Sequence, residues 1–104
     1  MLNDLKMKNQ QSAEHYGLSC QLNQLQEECG ELIQAVNKFR RSQGIGQETS
    51  LSMKQSFHLL VGEMVDVSIM IEQIEYLLGV SELEHNSVYT KKVERTQKRM
   101  NVSN

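Results

Sequence analysis

From Leu18 onward, apolar residues recur at Leu18, Leu22, Leu25, Cys29, Leu32, Val36 and Phe39, in alternating steps of four and three. On a helix of 3.6 residues per turn this spacing keeps the side chains on one stripe, whereas a strand would throw them to both faces. The segment must therefore be a long amphipathic helix with a seam suited to packing in a bundle.

The rest of the chain agrees. Met53 to Leu78 carries Phe57, Leu60, Val61, Met64, Val65, Val67, Ile71, Ile74 and Leu78, apolar positions that cover more than one stripe, so this second long helix is expected to be buried on several sides. Ser52 and Gln55 stand in capping-box relation before it, and Gly79 suits the position just past its end. Ser81-Glu82-Leu83-Glu84 repeats the capping pattern and opens a last helix reaching about Met100; so tight a connection favours antiparallel neighbours. Before the first long helix, about Asn3 to His15 reads as a short, weakly held helix, Tyr16-Gly17 as a break and Ser19 as an N-cap. Arg40 to Ser50, with two glycines and no apolar period, reads as a connecting loop.

The absence of proline, with Leu, Met, Gln, Glu and Lys dominant, fits an all-α protein, an antiparallel helical bundle. A length of 104 residues supports one core, so residues 1–104 form a single domain. Two long helices and two lesser ones cannot cover a central helix that is apolar nearly all round. The bundle is expected to be completed by oligomerisation, as a homodimer or homotetramer.

A net charge of -2 gives no global attraction for a nucleic acid polymer or an acidic membrane surface. The longest apolar stretch, Phe57 to Leu78, is interrupted by Glu63, Asp66, Glu72 and Glu75, which argues against a membrane span. Met1-Leu2-Asn3-Asp4-Leu5 lacks a basic stretch followed by an apolar run, so a cytoplasmic location is expected. Cys20 and Cys29 fall in one helix roughly 13 Å apart, too far for a disulfide, and no histidine stands near enough to make a zinc site with them.

The placement of acids carries the chemistry. Glu28 and Glu31 are three residues apart on the first long helix, and Glu63 and Asp66 are three apart on the second, so each pair presents neighbouring carboxylates. Glu28 and Glu31 flank the first seam, and Glu63 and Asp66 interrupt Val61-Gly62-Glu63-Met64-Val65-Asp66-Val67, in the most apolar part of the chain. Half-buried carboxylates are costly unless something positive satisfies them. Four facing one another across two helices would need a cation, and hard oxygen ligands favour magnesium, manganese or calcium.

Glu27-Glu28-Cys29-Gly30-Glu31-Leu32 and Glu63-Met64-Val65-Asp66-Val67 resemble the paired ExxE and ExxD motifs of the MazG-like, all-α nucleoside triphosphate pyrophosphohydrolase superfamily. Lys92-Val93-Glu94-Arg95-Thr96-Gln97-Lys98-Arg99 looks like that family's closing basic motif, so the resemblance spans roughly Leu18 to Met100. It implies hydrolysis of a nucleoside triphosphate between the α and β phosphates, giving monophosphate and pyrophosphate. Glu28, Glu31, Glu63 and Asp66 would hold Mg2+ or Mn2+ and one glutamate would act as general base. Lys92, Arg95 and Arg99, with Lys38 two turns after Glu31, would hold the polyphosphate. The sequence departs from the family in a longer separation between Glu31 and Glu63, in Met70 where relatives often carry an aromatic, and in Thr96 in place of asparagine.

Phe39 continues the seam and is expected in the core, leaving Tyr76 and Tyr89 as aromatic candidates for contacting a base; His58 is read as structural. A reading of another class is a non-catalytic helical module that dimerises through its seams, such as a small regulator. It leaves the interior acids without a cause. A di-iron bundle would require Glu-x-x-His, and neither Glu31 nor Glu63 has a histidine three residues later.

Overall fold

The structure is a computed structural model that describes residues 2–44 and 52–103. These residues form four helices: α1 (Leu2–Tyr16), α2 (Leu18–Ser42), α3 (Met53–Leu78) and α4 (Glu82–Ser103), with no strand among them. No helix among the described residues is long and apolar enough to cross a membrane.

Helix ends follow local chemistry. Ser52 and Gln55 form the expected reciprocal box, the Ser52 hydroxyl accepting from the Gln55 N–H at 3.1 Å and the Gln55 side chain accepting from the Ser52 N–H at 3.0 Å. At the other end of α3, Gly79 takes φ 74°, the left-handed conformation that costs glycine little, and the Val80 N–H donates to the Glu75 carbonyl. Ser81 accepts from the Glu84 N–H and opens α4.

Two boundaries differ from expectation. Gly17, at φ 85°, precedes α2 with no side-chain cap, so Ser19 lies inside the helix; the sharp turn after α1 needs the backbone freedom of glycine more than a hydroxyl. Arg40 to Ser42, assigned to the loop, remain helical, and the helix stops at Gln43 and Gly44. The remainder of the expected loop, 45–50, lies outside the described residues.

α2 and α3 pack along their length as an antiparallel hairpin, and α1 lies against both. The face of α2 turned into this hairpin is rotated from the stripe expected. Leu25, Leu32 and Phe39 are half-buried as anticipated, but Gln21 and Ala35 are buried and Glu28 is half-buried, while Leu22, Cys29 and Val36 are exposed. On α3 the inner face is Ser56, Glu63, Met70, Gln73 and Ile74.

α4 departs from the antiparallel arrangement expected of it. His85 Nδ1 lies 2.7 Å from Glu75 Oε2, tying the first turn of α4 to the last of α3; beyond that root, α4 packs against no other described helix. Residues 82–101 of α4 are all exposed, Tyr89 and Val93 included.

Candidate metal centre

The hairpin register is fixed by Gln21 opposite Gln73, which places Glu31 opposite Glu63, Glu28 opposite Asp66 and Lys38 opposite Ser56. Oxygens of Glu28, Glu31 and Glu63 lie within 4.8 Å of one another, so acids far apart in sequence are drawn into one cluster. Glu28 and Glu63 are half-buried and Glu31 is exposed. Asp66 is exposed and its oxygens fall outside that triad, yet its charge still acts on Glu63.

Glu63 is held above the ordinary glutamate range. Desolvation is the largest cause, followed by the charges of Glu31, Asp66 and Glu28 and by a hydrogen bond with Glu31. Gln24 Nε2 donates to Glu28 Oε1 at 2.9 Å, but Glu28 Oε2 and Glu63 Oε2 are shielded and have no hydrogen-bond partner. Two orphaned carboxylate oxygens beside a third carboxylate form an acceptor-only donor set. Such a set suits a hard cation of the magnesium or manganese kind. The residues present therefore fit the ion that the sequence motif implies.

The basic residues are placed less uniformly. Lys38 is half-buried on the inner side of α2, two turns past Glu31. Lys92, Arg95 and Arg99 share one face of α4, which does not pack on the acid-bearing helices of its own chain. Of the aromatic candidates, the Tyr76 hydroxyl donates to Glu14 and is held above its usual range first by that bond. Tyr89 stacks on His85 at the root of α4. Phe39 is half-buried and His58 is exposed on the far side of α3.

The sequence reading missed an amide relay that anchors the site. Gln21 Nε2 donates to Gln73 Oε1 at 2.6 Å, Gln73 Nε2 donates to Asn9 Oδ1 at 2.7 Å, and Asn9 Nδ2 donates to the Ile69 carbonyl at 3.3 Å. Three helices are thereby pinned together. The signal was available: Gln21 precedes Glu28 by seven residues and Gln73 follows Asp66 by seven, so the polar row of each helix simply continues.

No protein-family model, no curated protein and no solved structure matches this chain.

Proposed function

We propose that the chain is a divalent-metal-dependent nucleoside triphosphate pyrophosphohydrolase, working as a homo-oligomer, with Glu28, Glu31, Glu63 and Asp66 as its metal-holding and catalytic acids. The observation that carries this reading is the convergence of three carboxylates from two helices, two of them with shielded, unpartnered oxygens. Solvated acids on helix faces have no reason to meet inside a seam, and like charges so placed raise the energy of the native state. The motif resemblance supplies the reaction class.

Magnesium or manganese bound there would screen the polyphosphate charge and lower the pKa of a water. Glu28 and Glu63 hold the inner side of the site, Glu31 and Asp66 its open rim. One of these glutamates would accept a proton from the attacking water, and Glu63, half-buried between Glu28 and Glu31, is the one we assign to that role. Lys38 lies on the same row as Glu31 and can meet a phosphate beyond the acids.

The test is magnesium-dependent release of pyrophosphate from a mixed nucleotide pool, compared between the native chain and Glu63→Gln with its helical circular dichroism unchanged. Release that the substitution abolishes supports the proposal. No release by the native chain with either magnesium or manganese refutes it and leaves the reading as a dimerising helical module, which the exposed apolar residues of α3 and α4 would also suit.

A further inference from the structure

Glu28 differs from the other acids of the cluster in what stands beside it on its own helix. Besides Glu31, its neighbours one turn away on α2 are Leu25 and Leu32, both half-buried, and Gln24, also half-buried. Gln24 Nε2 donates to Glu28 Oε1 at 2.9 Å. Residues four apart are neighbours on a helix, so the position four before each acid decides what can reach back to it. That position holds Glu27 before Glu31, Leu59 before Glu63 and Gly62 before Asp66, and none of these side chains can donate to a carboxylate.

The bond divides the Glu28 carboxylate. Oε1 is occupied, while Oε2 is shielded from water and has no hydrogen-bond partner. A glutamate side chain left to itself samples several rotamers, and a ligand must order it on binding. Here the amide has ordered it beforehand. The register set by Gln21 and Gln73 places Gln24 opposite Met70, which is buried, so the stem that carries the amide is itself confined.

The chemical type of the donor matters as much as its place. Lys or Arg four residues from an interior acid would hold it by a stronger, charge-assisted bond, and would also neutralise it. Glutamine supplies the N–H without the charge. The first basic residue of α2 is Lys38, two turns past Glu31, so nothing on this helix beside Glu28 offsets the attraction of Glu28, Glu31, Glu63 and Asp66 for a cation.

We infer that Gln24 is a positioning residue, a neutral donor that holds one oxygen of Glu28 and leaves the other for a divalent cation shared with Glu31 and Glu63. It acts through Glu28 and touches no reacting group. The inference rests on the metal-holding reading of the cluster, and on no particular substrate. An outer partner that orients a metal ligand in this way is worth about 10- to 100-fold in metal affinity.

Mn2+ alone, titrated into the full chain without nucleotide and followed by the electron paramagnetic resonance signal of the free ion, tests it. The native chain should bind the ion and Glu63→Gln should weaken that binding, which places the ion at the cluster. Gln24→Met keeps the length and helix preference of the side chain and removes the donor. It should raise the Kd for Mn2+ about 10- to 100-fold with helical circular dichroism unchanged. Gln24→Lys restores a donor but adds charge, so it should melt higher than the native chain in chelator and yet bind Mn2+ more weakly. A bond that only steadied α2 gives another pattern: Gln24→Met melts lower in chelator and keeps its Mn2+ affinity. Native affinity in Gln24→Met, or in Gln24→Lys, overturns the inference and leaves the metal site standing. A native chain that binds no Mn2+, or binding indifferent to Glu63→Gln, overturns it together with the reading it rests on.

Discussion

On the inner face of the α2–α3 hairpin, Gln21, Glu28, Ser56, Glu63 and Gln73 lie against one another; about a quarter-turn away, Leu22, Cys29, Val36, Phe57, Val61 and Met64 meet solvent. A folded chain normally distributes these residue types the other way round. The inversion separates two tasks. Under the proposed function, the inner face gathers polar groups at a cost that a bound cation would offset, while the outer face leaves apolar surface exposed. Substitutions on the two faces should therefore have opposite signatures.

The sharpest contrast is in activity. Under the proposed function, Glu31→Gln and Glu63→Gln should each lower metal-dependent pyrophosphate release on the order of 10²-fold or more while leaving helical content and sedimentation unchanged. An inner-face charge removed without kinetic consequence would erase the distinction between the faces. Stability should move the other way: in chelator, Glu63→Gln should melt higher than the native chain at neutral pH. The sign follows from Glu63 holding its proton more firmly when folded than the ordinary value of 4.5. Stability is then greatest below that value and is lost as pH rises through the raised native titration. Thermal melts of both chains between pH 4 and 8 should diverge as pH rises, and adding magnesium should close the gap by stabilising the native chain alone.

The amide relay tests whether inner polar groups are tolerated only when paired. Gln73→Leu strands the Gln21 and Asn9 side chains and should cost about 1–3 kcal/mol, a fall in melting temperature of roughly 4–8 °C per kcal/mol. Gln21→Leu combined with Gln73→Leu should recover part of that loss, since fewer amides then remain unpaired. Equal melting of the single and double variants would mean that the relay is not an interdependent unit.

What the sequence disclosed, and what it hid, follows the same division. Helix number, the Ser52 box, the Gly79 turn and, of the four acids expected to converge, the meeting of Glu28, Glu31 and Glu63 but not of Asp66 were legible because they depend on local spacing and on one helix facing another. The orientation of α2 was not. Leu22, Cys29 and Val36 compete with Gln21, Glu28 and Ala35 for the inner side, and an apolar period cannot reveal that the row of Gln21, Glu28 and Ala35 takes it. The path of α4 was hidden for a related reason: a two-capped turn predicts a short connection but not the angle at which the next helix leaves, and the His85–Glu75 contact that ties its first turn to α3 has no periodic signature.

Ser56 offers the smallest and most discriminating probe. Its side chain is fully buried opposite Lys38, two turns from Glu63 on the same row, and its hydroxyl has no partner. A buried, unpaired hydroxyl is a net cost, so Ser56→Ala should leave stability unchanged or raise it by up to about 1 kcal/mol, against the direction of most core substitutions. If the hydroxyl instead belongs to the polar row as a group that meets a phosphate or its water beyond the acids, the same change should raise KM for the nucleotide while the melting temperature holds or rises. Melting curves and initial rates on Ser56→Ala separate a packing defect from a working part of the inner face. A clear fall in stability would mean that the inner seam is satisfied in a way that its unpartnered oxygens do not suggest.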